Sequence, residues 1–369
     1  MVNEVVKKVI VLAVVVMVAA ATIWMTTLVI NDDNRDENTI TDMRGRDVAL
    51  PDSINSIIGI KSCSLELISF FEAIEKVSYL DVNESFEDSR THTLVLEGNL
   101  KSLPRVDPND AEQIIKADPD IVISSTVDVS KLNEEQNKYG VPVFAINADL
   151  EFGPDFDRQI LVLGVLFDEE KRAADIVYGV NSLISVIQDN LSPPSSGTPA
   201  GGFVTAYACG MNFYGSGSFT KTSGDYLPFM YSYVQNVSPS SVAGVGKQPY
   251  NVSVETVIGY NPQYIFIDSG GLDGTLEYIR DHMSTLGTID AIKNGNIYST
   301  MVYKDWGTNW LNQLVNIYYV AKVVHPDNFQ WDFEDKADEI VQLFYPGTAA
   351  TYADMASAQS GNGCSKVNI

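Results

Sequence analysis

From about residue 40 onward, short apolar runs of strand length alternate with segments whose apolar residues recur every three or four positions. Val48–Pro51 and Ile54–Ile60 read as strands, Leu65–Ile74 as an amphipathic helix, and Lys76–Leu80 as another strand. A polar loop over 81–93 follows, and the turn signal Tyr139-Gly140 introduces a strand at Val141–Ile146. Phe156–Leu166 and Glu169–Leu191 form the longest helical stretch, with Ala173, Ile176, Val177, Val180, Leu183, Ile184 and Ile187 on one stripe. That stripe packs on protein, so the helix is no free spacer. The Pro-, Ser- and Gly-rich segment 192–202 closes it. Beyond lie strands at Gly202–Ala208 and Gly295–Thr300, helices at Asn309–Val324 and Phe333–Phe344, and a tail rich in Ser, Gly and Asn over 346–369 that reads as flexible. Strands alternating with helices predict an α/β fold, a mostly parallel sheet flanked by helices.

A repeat divides this fold in two. EQIIKADPDIVIS, from Glu112 to Ser124, and ETVIGYNPQYIFI, from Glu255 to Ile267, share a glutamate, an isoleucine three residues on, an Asp-Pro or Asn-Pro pair, and then an apolar run, at a constant offset of 143 residues. Two similar lobes are therefore expected, lobe one at 40–154 and lobe two at 192–345, joined by a long helix at 155–191, with a ligand cleft between them. Asp110 and Ser253 share the same offset and suit helix N-caps, which puts Glu112 and Glu255 in first helical turns. In a parallel α/β lobe those turns lie near the carboxyl ends of the strands, where ligands bind. An acidic residue in a first turn complements the helix dipole and needs no further role. One such carboxylate in each lobe additionally suits docking onto a two-fold symmetric partner.

The start of the chain changes the setting. Lys7 and Lys8 precede an uncharged, mostly apolar run from Val9 to Ile30, and Asp32, Asp33, Asp36 and Glu37 follow within the polar tether 31–39. As a helix this run is about 33 Å long, enough to span a bilayer core of about 30 Å. Lysines before it and carboxylates after it place the N-terminus in the cytoplasm and the rest of the chain outside. We read residues 1–30 as an uncleaved signal anchor, a transmembrane helix, although Ala19, Ala20 and Ala21 offer a cleavage site. A formal net charge of −24 excludes the basic footprint of a nucleic-acid binder. Cys63, Cys209 and Cys364 are too few and too far apart for a disulfide framework. Asn83, Asn190, Asn236 and Asn251 begin Asn-x-Ser sequons, a pattern that an Asn-rich chain produces by chance.

The element order, the doubled Glu-x-x-Ile and Asp/Asn-Pro motif, the opening ITDMRGRDVALP at Ile40–Pro51 and the long helix resemble the class III substrate-binding proteins of ABC importers, over about residues 40–345. That family includes receptors for ferric siderophores, haem and cobalamin, and some members bind molybdate or tungstate. The resemblance implies an extracytoplasmic solute receptor, held at the cell membrane by its N-terminal helix. It further implies that Glu112 and Glu255 dock onto arginines of an ABC permease dimer. The long helix would keep closure modest, so the importer would read small changes in the spacing of the two glutamates.

Loops after strand ends line such a cleft. They nominate Ser62, Cys63 and Ser64 with Ser124, Ser125 and Thr126 in lobe one. In lobe two they nominate Cys209 to Tyr214 (Asn212, Phe213 and Tyr214 above all), Asp268 to Gly271 with Ser269, and Tyr303 to Trp310, with Trp306 in the most polar surroundings. These aromatics suit a large planar or chelate ligand, although about half should belong to the lobe cores. The loop from Gly215 to Ser223, with Lys221 as its one cation, suits either an anion cradle or a flexible surface loop. His92, His282 and His325 are scattered, so no protein-built metal cage and no bound cofactor are expected. Cys63 and Cys209 each follow the first strand of a lobe and could face each other as soft ligands, though such cysteines are more often buried. No nucleophile elbow or triad spacing is present. An exported two-lobed enzyme is the runner-up class, ahead of an adhesive surface protein.

Overall fold

The computed structural model describes residues 38–84, 99–191, 203–213, 216–239 and 248–369. The predicted anchor, most of the tether, most of the loop at 81–93, the segment 192–202, His92, Tyr214 and Gly215 lie outside these residues. No described helix is long and apolar enough to cross a membrane.

The described chain divides into two compact units, with the boundary after Val180. The first opens with a hairpin of β1 (Thr39–Thr41) and β2 (Asp47–Ala49). Its turn places the buried Asp42 where it accepts from the N–H groups of Arg44 and Arg46 and from Arg46 Nε at 2.8 Å. This knot is the structural content of the ITDMRGRDVALP motif. Then come β3 (Ile57–Ile60), α1 (Ser64–Ser69), β4 (Val77–Asp81), β5 (Arg105–Val106), α2 (Ala111–Ala117), β6 (Ile121–Ser124), α3 (Val129–Tyr139), β7 (Val143–Ala145) and α4 (Pro154–Phe167). The sheet order is β5-β4-β3-β6-β7, every pairing parallel. All residues of β3, β6 and β7 are buried, as required of strands covered on both faces. The predicted helix 65–74 is shorter than expected: α1 stops before Phe70 and Phe71, whose rings enter the core, and a separate 3₁₀ turn at Glu72–Lys76 follows. The Glu169 carboxylate accepts the N–H groups that open that turn.

The long helix expected over 155–191 is two helices, α4 and α5 (Glu170–Asp189). Asp168 takes a left-handed conformation, φ 61°, and ends α4. At Gly164 an added Cβ would stand 2.4 Å from the Ala173 methyl carbon, so a glycine here lets the two helices meet closely. The boundary between the units falls inside α5 rather than at its ends.

The second unit continues with β8 (Thr205–Cys209), β9 (Lys221–Thr222), α6 (Leu227–Tyr231), β10 (Gln235–Asn236), β11 (Tyr250–Asn251), α7 (Val254–Tyr260) and β12 (Tyr264–Asp268). It ends with α8 (Leu272–Asp281), α9 (Met283–Leu286), α10 (Asp290–Lys293), β13 (Ile297–Thr300), α11 (Trp310–Val324), α12 (Phe333–Phe344), α13 (Tyr352–Ser357) and β14 (Ser365–Lys366). The central strands β8, β12 and β13 run parallel, β10 adds to β8 in the same sense, and β9, β11 and β14 pair antiparallel at the edges. The expectation of a flexible tail over 346–369 is corrected here. Thr351 and Asp354 form a capping box that starts α13, and β14 closes the sheet against β13. A composition rich in Ser, Gly and Asn misled because those residues serve here as caps and tight turns.

One face of α11 is polar and buried. Asn316 accepts from Met301 N–H and donates to Met301 C=O, both at 2.9 Å, while Asn312 donates to Val302 C=O at 2.8 Å and Gln313 to Tyr303 C=O at 3.3 Å. From the tail, Gln359 accepts from Val302 N–H at 2.9 Å. Together they satisfy the backbone of the three residues that follow β13, which no further strand pairing could reach. Asn316→Leu leaves two buried backbone groups without partners, at about 1–3 kcal/mol each. The expected result in urea is a midpoint lowered by about 2–6 kcal/mol of stability with an unchanged slope; a loss under about 1 kcal/mol would show that the segment finds other partners.

Candidate functional site

The sequence repeated at an offset of 143 residues is a complete structural unit. Asp110 and Ser253 are N-caps, accepting from Glu112 N–H and Thr256 N–H, and Glu112 and Glu255 stand exposed in the first turns of α2 and α7. Both helices end at a left-handed residue, Asp118 (φ 49°) and Asn261 (φ 43°), followed by a proline that cannot continue the helix. The strands β6 and β12 begin two residues after those prolines. The backbone N–H of Glu255 and then the Ser253 hydroxyl hold the Glu255 carboxyl below its ordinary value.

In each unit an aspartate ends one strand and secures the loop after its parallel neighbour. Asp81 ends β4, and its carboxylate accepts from Asn83 N–H and from Lys61 N–H beyond β3, both at 2.8 Å. Asp268 ends β12, and its carboxylate accepts from Gly270 N–H at 2.8 Å and from Tyr303 N–H beyond β13 at 2.7 Å. Both side chains are buried.

In the first unit this staple brings the nominated serines together. Ser62 Oγ and Ser125 Oγ are 3.2 Å apart, and Ser124 donates to Thr126 Oγ1 at 3.0 Å. Lys61 and Glu135, neither foreseen from sequence, form an ion pair that also engages Thr126. Lys61 and Cys63 both adopt left-handed conformations, φ 65° and 61°, so the loop after β3 stores strain of the kind found at ligand sites. Ser64 does not belong to the open site, since it is buried and donates to Ile60 C=O at 2.6 Å. The Cys63 thiol is likewise buried and donates to Ala148 C=O.

In the second unit a cavity of about 450 Å³ opens past the ends of β8 and β12, lined by Asn212, Ser216, Gly217, Ser269 to Gly274, and Ser360 of the tail. Glycine is required where backbones cross, because a Cβ on Gly271 would lie 2.1 Å from Gly210 O. Ser269 is buried and donates to Thr300 C=O at 2.5 Å. Trp306 is presented at the tip of a tight turn closed by the Lys304–Thr308 bridge, 39% exposed and at φ 53°. A left-handed tryptophan costs about 1–2 kcal/mol, which a surface turn without a role would avoid. Phe213 lies beneath Lys304, whose Nζ is 5.6 Å from the ring centre.

Several nominations are corrected. Tyr303 and Trp310 are core residues, with the Tyr303 ring 4.9 Å from that of Tyr226. Cys209 is fully buried among apolar side chains, and burial pushes its thiol far up, so it is no soft ligand. The Lys221 ammonium is also buried and donates to Phe213 C=O at 3.0 Å, so the described part of that loop, 216–223, is neither a loose surface loop nor an anion cradle built on that cation. His282 bonds Tyr278 C=O, and His325 bonds Ser232 C=O. No group of three or more His, Cys, Asp or Glu placed to hold a metal ion exists among the described residues.

Asp268 carries a pH signature. Burial pushes its carboxyl up to about 7, against the pull of the two N–H donors. Below the ordinary value of 3.8 both folded and unfolded chains hold the proton. Between about 4 and 7 only the folded chain keeps it, so this group's contribution to stability is full at low pH and is lost as pH rises. Measured in urea, the stability gap between wild type and Asp268→Asn is expected to shrink from pH 4.5 to pH 7.5 (about the edges of that window); a gap that widens would show a carboxylate held ionised by its donors.

Comparison with known proteins agrees with this geometry. The periplasmic binding protein family model matches residues 76–301. A periplasmic solute binding protein from Veillonella parvula shares the fold with a TM-score of 0.69 at 16% identity, over 87% of this chain and 96% of that one. The molybdate periplasmic binding protein MolA of Haemophilus influenzae, solved with molybdate, gives 0.64 at 18% identity, over 85% and 100%. A Helicobacter pylori protein, CeuE, solved with Ni(II) bound, gives 0.63 at 14% identity, over 88% and 100%. No curated protein sequence matches significantly. With more than half of its length matched by the family model and its two parallel-sheet units bearing the same capped helix, the chain belongs to the periplasmic binding protein family.

Proposed function

We propose that the protein is the extracytoplasmic solute receptor of an ABC importer, that it receives a metal complex (a ferric siderophore, haem or a corrinoid) at the carboxyl edges of its two sheets, and that Glu112 and Glu255 dock it onto a permease dimer. The observation that carries this reading is the duplicated cap–helix–proline–strand unit, which exposes one glutamate at the equivalent place in each unit. The exposed apolar side chains at strand ends, Val82 (44%) and Val127 (71%) in one unit and Trp306 in the other, suit the faces of such a ligand. Family membership favours binding over catalysis. The N-terminal apolar run would hold the receptor at the membrane.

An oxyanion is the second reading, raised by the neighbour solved with molybdate. It is disfavoured because two cations near the strand ends are already engaged, Lys61 with Glu135 and Lys221 with the Phe213 carbonyl. Thermal-shift screening of the chain from about residue 36 against the four ligand classes decides between them. A ligand at a hundred times its dissociation constant adds about 2.7 kcal/mol. A shift with molybdate alone would transfer the assignment to the oxyanion, and no shift with any class would remove the receptor reading.

Docking is tested separately. Glu112→Lys with Glu255→Lys is expected to abolish uptake in cells while leaving ligand affinity within about twofold, since surface charges act mainly on partner encounter. Affinity lost in the double variant would assign the glutamates to the ligand site instead.

A further inference from the structure

The ion pair of the first unit has the form of a filled anion site. The Glu135 carboxylate takes Lys61 Nζ on Oε1, and Thr126 Oγ1 stands 3.1 and 3.2 Å from its two oxygens. Ser124 Oγ lies 3.4 Å from Oε2. One ammonium and two hydroxyls gathered round a carboxylate are the partners that a solute's anionic group would seek. Both sides of the contact are fixed before any solute arrives. Asp81 holds the N–H of Lys61 at 2.8 Å, and Asp128 caps α3, from whose middle Glu135 projects.

The pair is not needed to fasten α3. Leu132 and Tyr139 already enter the core beneath the helix, the Tyr139 hydroxyl donates to Pro108 C=O at 2.6 Å, and the Gln136 amide oxygen accepts from Val143 N–H at 3.2 Å. Nor is the pair sealed away, since the Lys61 side chain keeps 36% of its surface exposed and that of Glu135 17%. A pair so open on its lysine side contributes little to stability, yet it determines what a solute meets there.

We propose that Glu135 is a specificity-determining residue of this edge: its carboxylate occupies the cradle of Lys61, Ser124 and Thr126 and so turns away solutes that present an anionic group there. The proposal rests on the receptor reading and narrows its ligand class. A carboxylate carried on the chain itself competes at an effective concentration on the order of millimolar or above. A dissolved anion must displace it and leave the glutamate charge unpaired, a penalty that falls on anionic solutes alone. Uncharged faces meet a cradle that is already neutral. Among metal complexes this favours an ion whose charge its chelating arms just cancel over one whose arms leave a net negative charge.

The test is calorimetric titration of the full chain with acetate, which carries the atoms that Glu135→Ala removes beyond Cβ, and with acetamide as its uncharged counterpart. Wild type is expected to bind neither saturably. Glu135→Ala is expected to bind acetate at least about tenfold more tightly than acetamide, and adding Lys61→Met should weaken that binding by about as much. A pair that only fastened α3 would lower the melting temperature of Glu135→Ala and gain it no anion. Glu135→Gln keeps the packing, serves should the alanine variant fail to fold, and is expected to gain molybdate binding that wild type lacks. Acetate bound by wild type as tightly as by Glu135→Ala would overturn the proposal, as would the absence of a gain in whichever variant folds. The two readings fail separately. A metal complex that stabilises wild type while neither variant gains an anion leaves the receptor and ends the filter, and the opposite pair of results ends the receptor and leaves the filled cradle.

Discussion

The structure depends on satisfying backbone groups just past the ends of buried parallel strands. A strand in the middle of such a sheet hands its chain to a loop at a point where neighbouring strands no longer offer partners and water is excluded. Each unit meets this with a buried aspartate whose two oxygens are shared between its own turn and the loop next door: Asp81 holds Asn83 and Lys61, and Asp268 holds Gly270 and Tyr303. In the second unit the amides of α11 and Gln359 extend the same service to Met301, Val302 and Tyr303. Fixing these loops to their sheets is what allows short loops to carry a ligand site at all, because a rigid element sets their position.

The frame was legible in the sequence because it is written in local physics. Asp110 and Ser253 are the right side chains for an N-cap, Asp118 and Asn261 tolerate the left-handed turn that ends a helix, and Pro119 and Pro262 forbid its continuation. Each decision involves residues within a few positions of one another, and a duplicated string of such decisions identifies two related units. The two apolar-periodic segments Phe156–Leu166 and Glu169–Leu191 match α4 and α5, and what failed was joining them into one long helix across Asp168, whose left-handed conformation ends α4.

The site was only half legible, because exposure is decided by contacts distant in sequence. Ser62 and Ser125 were nominated as loop residues after strands and do meet, at a sequence separation of 63. Tyr303 was nominated by the same rule, yet its ring packs on Tyr226 and its hydroxyl accepts from Leu227 N–H, partners that no local pattern announces. Lys61 and Glu135 were overlooked since neither sits in a motif, Asp81 was read as the start of a polar loop, and Asp268 was nominated for the cleft, whereas its buried carboxylate holds Gly270 and Tyr303. A signal for them did exist: an aspartate at the last position of an apolar strand puts a charge where burial is heaviest, and it survives there only with donors of its own.

The two carboxyl edges, each considered by itself, differ in chemistry. In the first unit hydroxyls gather around a lysine and glutamate that neutralise one another, with the strained Lys61 and Cys63 fixing the loop. In the second, Trp306 is held in a costly conformation on a tight turn, Lys304 lies over the ring of Phe213, and a glycine-walled cavity opens past the ends of β8 and β12. Strain at Trp306 is the more telling, since its backbone is left-handed while 39% of the residue stays exposed. An aromatic face kept outward at such cost is preorganised, so a partner that stacks on it need not bear the ordering entropy at the moment of binding.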